Sequence, residues 1–149
     1  MYLIDSNVYI RAFRELTFGL ELQAFHRAHL PRLVVSAVVM SELLVDAQKP
    51  DRERVLGRTL LEPFLARRRF ITPTWSTWEL ATRIDRQLRQ RPTYRSHLKQ
   101  RSFLQDILIA TSARENGATI VTFNTADFTL IGRYVDIAFV KPWPTAPGP

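Results

Sequence analysis

Short apolar runs alternate along the chain with longer stretches in which apolar residues recur at helical spacing. The short runs are rich in β-branched residues and end at polar or turn-forming residues, as strands do. We predict five strands, in the segments "MYLID", "RLVVS", "FIT", "ATIVT" and "VDIAFV". The stretches between them predict helices, so strand and helix alternate almost throughout.

Polar residues mark where several of the predicted helices begin. Asn7 is the expected N-cap of the first helix, and Ser36 that of the helix "AVVMSELLVDA". Asp51 is expected to start a helix that runs through "RERVLGRTLLEPFLARR". Ser76 and Glu79 form a predicted capping box for "TWELATRIDRQLRQR".

Two glycines indicate interruptions of helical structure. Gly19 is expected to break or bend the helical material that continues to Leu30. Gly117 follows "FLQDILIATSAREN", at the position where a left-handed backbone conformation ends many helices.

The alternation of strands and helices is typical of βαβ units and predicts an α/β fold with a largely parallel sheet covered on both faces. We find no internal repeat and no domain boundary, so residues 1–141 are expected to form a single domain. Residues 142–149 are rich in proline and are expected to be an irregular tail. In such folds, ligands bind outside the carboxyl ends of the strands, near the switch in strand order.

Composition narrows the class of protein. The chain has 149 residues, of which 46% are hydrophobic and 23% charged, as in an ordinary soluble globular domain. The absence of cysteine excludes disulfides and thiolate metal sites and favours a reducing setting. No signal peptide is visible, and no apolar run approaches the roughly 18 residues of a membrane span. We therefore expect a cytoplasmic protein with no membrane partner.

The charge is strongly basic and unevenly distributed. The net charge of +7 favours a polyanionic partner such as nucleic acid. Seven basic residues and one acid lie between positions 83 and 101, and we call this segment the basic window. Within it, Arg89, Arg95 and Lys99 are candidate phosphate contacts. The alternative is an ordinary solvated helix face.

Four acidic residues lie within or beside apolar segments. Asp5 ends the first strand, Glu42 interrupts "VVMSELLV", Asp106 interrupts "FLQDILIA", and Asp127 follows the fourth strand. Because an unpaired carboxylate is costly to bury, acids are uncommon in apolar stretches unless they have a partner. The carboxyl ends of parallel strands share one edge of the sheet, where these four acids could converge.

Four carboxylates that lie close together repel one another, unless a divalent cation neutralises their charges. Carboxylate oxygens suit Mg²⁺ or Mn²⁺, whereas the three histidines show no metal-ligand spacing. Such an ion can orient a phosphodiester and activate water. Each acid alone has a simpler interpretation as a cap, a turn residue, an exposed helical residue or an acid near a helix N-terminus. Without metal, changing Asp5 or Asp106 to asparagine is expected to raise stability by relieving repulsion.

Several segments together resemble a known family. "YLIDSNVYI", "SELL" and "DILIATSARENGATIVTFNTADF", in this order, are similar to the PIN-domain ribonucleases, and most of all to VapC-type toxins of toxin–antitoxin pairs. The resemblance implies a three-layer α/β/α sandwich and Mg²⁺- or Mn²⁺-dependent hydrolysis of RNA, with tRNA and rRNA as candidate targets. It also implies a homodimer and a cognate antitoxin that blocks the site.

The resemblance also implies roles for individual residues. Asp5, Glu42 and Asp106 match the three acids of the family, which are catalytic and bind metal. Asn7 matches a polar residue near the first acid, and Thr122 matches a small hydroxyl near the metal, so both are expected to serve substrate binding.

The match has departures. Ser6 stands where threonine is common, and Phe123 where arginine is frequent. The fourth acid of the family falls either at Asn124 or near Asp127. We expect Asp127 to complete the catalytic metal site and Asn124 to bind the substrate.

Two other functions compete with this interpretation. A catalytically weak RNA-binding module of the same fold would keep the basic window and lack metal-dependent turnover. A small-molecule phosphatase with an aspartyl nucleophile is disfavoured, because such enzymes carry D-x-D after the first strand, and this chain has Asp5-Ser6-Asn7.

Overall fold

All five predicted strands are present in the computed structural model of the chain, which describes residues 1–94 and 102–144. They pair in the order β3-β2-β1-β4-β5, and every pairing is parallel. The predicted parallel sheet is therefore confirmed. The strands are β1 (Tyr2–Ile4), β2 (Leu33–Ser36), β3 (Phe70–Ile71), β4 (Thr119–Val121) and β5 (Ala138–Val140).

Helices connect the strands and cover both faces of the sheet. Right-handed crossovers put the first five on one face and the last three on the other, which makes the fold a three-layer α/β/α sandwich. Within the described ranges, no helix is long and apolar enough to cross a membrane. The helices are α1 (Ser6–Arg14), α2 (Leu16–His29), α3 (Ala37–Asp46), α4 (Pro50–Leu56), α5 (Glu62–Ala66), α6 (Trp75–Arg89), α7 (Ser102–Glu115) and α8 (Thr125–Ile131).

The direction of the strand order reverses between β1 and β4. From β1 the chain moves to β2 and β3 on one side, whereas β4 leads to β5 on the other. Both central strands are buried, as Leu3, Ile4, Ile120 and Val121 illustrate. The crevice outside the carboxyl ends of β1 and β4 is therefore the topological position where a fold of this type binds its ligand.

The first helix begins earlier than predicted. Asp5, and not Asn7, is the N-cap of α1, with an extended backbone and a carboxylate that accepts a hydrogen bond from the Ser6 N–H. This leaves the Asn7 side chain free to act elsewhere. The Ser36 cap is confirmed, since its hydroxyl accepts a hydrogen bond from the Val38 N–H. The next helix begins at Pro50, one residue before the predicted start at Asp51.

Gly19 does not break a helix, which corrects the prediction. The break lies at Glu15, whose backbone is extended between α1 and α2, and Gly19 lies inside α2. A Cβ atom at Gly19 would lie 2.8 Å from the Ala12 carbonyl oxygen, so glycine is needed for the close approach of α1 and α2. Gly117 follows α7 as expected, with a positive φ of 61°.

The capping box predicted for α6 is also wrong. Thr74 is the N-cap, and its hydroxyl accepts a hydrogen bond from the Thr77 N–H. The carboxylate that completes the cap comes from Glu115 at the end of α7 and not from Glu79. Glu115 accepts hydrogen bonds from the hydroxyls of Thr74, Ser76 and Thr77.

Candidate active site

Asp5 lies at the centre of a hydrogen-bond network at the carboxyl ends of β1 and β4. Its side chain is buried, with 2% of its surface exposed. One carboxylate oxygen accepts from the Ser6 N–H, and the other accepts from the Thr122 hydroxyl at 2.7 Å. Because Thr122 follows β4 directly, this bond ties together the two strand ends at the switch point.

Asn7 strengthens the same connection. Its amide nitrogen donates to Asp5 Oδ2 at 2.6 Å and to Thr122 Oγ1 at 3.1 Å, and its carbonyl oxygen accepts from the Phe123 N–H at 3.2 Å. Asn7 and Thr122 were expected to bind substrate. Both side chains donate hydrogen bonds to Asp5 and orient it, so their geometry favours a positioning role.

Asn124 connects two further acids. Its amide nitrogen donates to Asp106 Oδ2 at 3.2 Å and to Asp127 Oδ2 at 2.8 Å. Its backbone N–H donates to the Thr122 hydroxyl at 2.9 Å. The structure thus brings Asp106 of α7 and Asp127 of α8 to the same edge as Asp5.

Glu42 reaches this edge from α3, which begins directly after β2. Its Oε2 atom is buried and has no hydrogen-bond partner among the residues described. Burial raises the pKa of Glu42 to about 6, with a smaller contribution from the charge of Asp5 and an opposing effect of the Ser6 hydroxyl. A buried carboxylate oxygen without a donor is costly, which points to a missing cation or donor at this position.

The acids affect one another electrostatically. Burial, followed by the negative charges of Asp5, Glu42 and Asp127, raises the pKa of Asp106 to about 8. Burial also raises the pKa of Asp5, although the hydrogen bonds from Thr122, Ser6 and Asn7 oppose the increase. The ionised forms of these acids therefore repel one another, and the described protein groups around Asp5, Glu42 and Asp106 do not offset the cost of burying their charges.

A divalent cation fits the chemistry of this group. All the available donors are carboxylate, hydroxyl and amide oxygens, which suit Mg²⁺ and Mn²⁺. Across residues 1–94 and 102–144, no three acidic or histidine side chains have the tight arrangement of a coordinated ion. The acids are related instead by the shared hydrogen bonds of Asn124 and by their electrostatic effect on Asp106. Asp5, Glu42, Asp106 and Asp127 are the side chains that would hold the ion.

The basic window is only partly described. Arg89 is exposed at the end of α6, and its Nε donates to Asp85 Oδ2 at 2.7 Å in an i,i+4 ion pair. Arg95 and Lys99 lie outside the described residues. The structure therefore leaves the predicted phosphate contacts of this window as a prediction.

One basic residue near the acids was not predicted from the sequence. Arg11 lies on α1 four residues after Asn7, and its guanidinium lies over the rings of Phe18 and Phe123. The spacing of four from Asn7 was a usable signal, because it places both side chains on one face of the helix. The position of Phe123 beside them could only be known from the fold.

Comparison with known sequences assigns a family. The sequence model of the PIN domain family matches residues 2–133, most of the chain. No curated protein sequence matches the chain.

Several solved structures share the fold. The chain is 19% identical to VapBC from Salmonella typhimurium, which was solved bound to DNA, with a TM-score of 0.65 and coverage of 94% of this chain and 96% of the other. It is 22% identical to FitAcB from Neisseria gonorrhoeae, with a TM-score of 0.62 and coverage of 96% and 99%. It is 20% identical to VapBC2 from Rickettsia felis, which was solved with a fragment of promoter DNA. The TM-score is 0.60, and the match covers 94% of this chain and 97% of the other. At these identities the similarity establishes the fold alone.

Proposed function

The chain belongs to the PIN domain family, and on this premise we propose that it is a metal-dependent endoribonuclease, the toxin of a toxin–antitoxin pair. The observation that carries the proposal is the convergence of four acids at the switch point, with the pKa of Asp106 raised to about 8 by burial and by its acidic neighbours. A binding module has no need of such an arrangement, whereas a metal-dependent hydrolase does. PIN domains are generally nucleases, the basic charge of the chain agrees with a nucleic-acid substrate, and the family resemblance favours RNA.

Each side chain of the site can serve a different role in hydrolysis. When bound, Mg²⁺ or Mn²⁺ supplies charge neutralisation and activation of water. Glu42 can accept a proton from the attacking water where its carboxylate is not itself bound to the ion. Asp106 must lose its proton before it can bind a cation. Asn7, Thr122 and Asn124 hold the carboxylates in position through the hydrogen bonds described above.

Because water is the proposed nucleophile, the ends of the cleaved RNA can be predicted. Its attack on phosphorus breaks the P–O3′ bond and leaves a 3′-hydroxyl and a 5′-phosphate. A metal-free route through the 2′-hydroxyl would call for a pair of histidines. Of the histidines, His26 lies on α2 beside Tyr9, and His29 packs against Phe25, away from the acids. His97 lies outside the described residues.

The proposed partners are a cognate antitoxin, RNA and a second copy of the chain, in the cytoplasm. The antitoxin is supported by the VapBC and FitAB complexes that share the fold.

Cleavage of RNA by the purified protein tests the function. We expect cleavage in Mg²⁺ or Mn²⁺, its loss in EDTA, and its return when Mn²⁺ is added back. A protein that binds RNA and never cleaves it in either metal would instead be the RNA-binding module. Full activity in EDTA would contradict the metal-dependent mechanism.

Asp127 and Asn124 are expected to differ in their effect on metal dependence. Asp127→Asn removes a charge, so we expect it to raise the metal concentration at half-maximal rate roughly tenfold, with partial recovery in excess Mn²⁺. Asn124→Ala removes the donor shared by Asp106 and Asp127, so we expect a rate roughly 10–100-fold lower at saturating metal. Titration of Mn²⁺ against cleavage rate measures both. An unchanged midpoint for Asp127→Asn would reduce Asp127 to an acidic residue in the first turn of α8, where it stabilises the helix N-terminus.

The basic window is expected to bind RNA through phosphates. Reversing Arg89, Arg95 and Lys99 to glutamate should weaken binding of all sequences alike and reduce the slope of log K against log salt by roughly 0.7 per lost contact. The matched control reverses three exposed arginines of the α4 region, Arg52, Arg54 and Arg58. Equal slopes for both triple variants would mean that the window is only a solvated face.

A further inference from the structure

Arg11 is held by two aromatic rings, one of which belongs to Phe123, the residue after Thr122. Its guanidinium carbon lies 4.7 Å from the centre of the Phe18 ring and 5.0 Å from that of Phe123. The two rings are themselves in contact, with centroids 5.5 Å apart. Trp143 stacks on the other side of this group, 5.1 Å from Phe18, and its indole N–H donates to Glu21. A flexible side chain is thus given a defined position at an otherwise exposed part of α1.

Phe123 links the position of Arg11 to the hydrogen-bond network around Asp5. Phe123 lies between Thr122 and Asn124, and its N–H donates to the Asn7 carbonyl oxygen at 3.2 Å. Asn7 in turn donates to Asp5. Since Arg11 follows Asn7 by four residues on α1, its guanidinium lies about one helical turn from the side chain that holds Asp5.

Arg11 is not the counter-ion of the acids. Its one ion pair among the residues described is with Glu15, through Nε at 3.0 Å, and both side chains of that pair are about half exposed. The Asp5 oxygens are occupied by Ser6, Asn7 and Thr122 instead. The Glu15 contact uses the Nε–H, so the two terminal amino groups of the guanidinium are available to a ligand. A planar guanidinium with two available amino groups, close to the proposed hydrolytic centre, is suited to bind a phosphate through two hydrogen bonds.

We propose that Arg11, positioned by Phe18 and Phe123, binds a phosphate of the RNA backbone next to the scissile bond. The proposal rests on the proposed function. It makes Arg11 a substrate-binding residue that fixes the register of the strand against the acids. Its effect should appear in binding and KM, with the metal requirement unchanged, because Arg11 contacts none of the four acids.

The test compares Arg11→Gln with Arg14→Gln. Both changes remove one positive charge from α1, but Arg14 pairs with Asp46 of α3 at 3.3 Å and does not contact the rings. At about 0.15 M salt, where distant charges are largely screened, we expect Arg11→Gln to raise KM roughly tenfold. Its salt slope should fall by roughly 0.7. Arg14→Gln should resemble the wild type, and Arg11→Lys, which keeps the charge and loses the planar fork, should lie between.

The possible outcomes separate this inference from the function on which it rests. If the wild type cleaves RNA and Arg11→Gln has wild-type KM and salt slope, the inference is wrong and the nuclease stands. The inference is equally wrong if Arg11→Gln and Arg14→Gln lose affinity to the same extent, because the effect is then general charge. Thermal unfolding of each variant shows whether the fold is intact. A wild type that neither binds nor cleaves RNA would overturn both proposals.

Discussion

Replacing Asp106 with asparagine is expected to remove metal-dependent cleavage while making the metal-free protein more stable. The catalytic loss should be a hundred- to a thousandfold or more, on the order of that for a key electrostatic group. Stability should rise because ionised Asp106 faces Asp5, Glu42 and Asp127 in a buried position. Asparagine keeps the size of the side chain and an oxygen that can accept the hydrogen bond from Asn124.

The pH dependence of this effect has a definite sign. The pKa of Asp106 is raised from 3.8 to about 8, so the folded protein retains a proton that the unfolded chain loses. The contribution of Asp106 to the free energy of unfolding of the wild type is therefore fully present below pH 4 and declines as the pH rises to about 8. The advantage of Asp106→Asn should grow over the same range, to about 2–4 kcal/mol at pH 8.

Urea unfolding in EDTA at pH 5 and pH 8 measures this change, and RNA cleavage in Mn²⁺ measures the catalytic loss. Asp46→Asn is the control, since Asp46 lies on α3 with Glu42 but pairs with Arg14 away from the acids. It should leave cleavage unchanged and show no stabilisation that grows with pH. Substantial cleavage by Asp106→Asn would remove this residue from the mechanism.

Asp5→Asn is expected to abolish cleavage as well, but to lower stability where Asp106→Asn raises it. From the sequence, both changes were expected to be stabilising. The geometry distinguishes them, because Asp5 Oδ2 receives donors from both Asn7 and Thr122. Whichever way an asparagine amide is turned here, its NH₂ group faces a donor, either the Ser6 N–H or those of Asn7 and Thr122, and the lost hydrogen bonds should cost about 1–2 kcal/mol.

Unfolding at pH 6 in EDTA is the decisive condition for Asp5→Asn. Asp106 is then protonated, since its pKa is about 8, so relief of its repulsion is small, and the measurement weighs the lost hydrogen bonds against the burial that raises the pKa of Asp5. The double variant Asp5→Asn with Asn7→Asp would exchange the two partners and should recover part of the stability without recovering cleavage. If Asp5→Asn is instead more stable than the wild type at pH 6, the cost of burying the Asp5 carboxylate outweighs the hydrogen-bond network around it.

The sheet could be predicted because its signals are local. Each strand is a short β-branched run that ends at a polar residue, and the alternation with helical periods leaves little choice of architecture. The convergence of Asp5 and Glu42 followed from the same logic, because Asp5 follows β1 and Glu42 lies on the helix that begins after β2, and parallel strands end at one edge. The family resemblance then added the finer assignments at Asn7, Thr122 and Asn124.

The errors arose where distant parts of the chain meet. Glu115 replaces Glu79 in the cap of α6 because α7 returns alongside it, which no local motif records. Gly19 is required by the Ala12 carbonyl of another helix and not by a turn. The role of Arg11 could not be predicted for the same reason, since its two rings are supplied by α2 and by the loop after β4.

Binding of Mn²⁺ to the purified protein, measured by calorimetry between pH 6 and pH 8, tests the proposed centre most directly. Binding must displace the protons of Asp106 and Glu42, whose pKa values are raised to about 8 and about 6, so we expect affinity to increase with pH and protons to be released. Asp106→Asn should bind at least about tenfold more weakly and release fewer protons, while Asp46→Asn binds like the wild type. Equal Mn²⁺ affinity in the wild type and in Asp106→Asn would contradict a metal site formed by these acids.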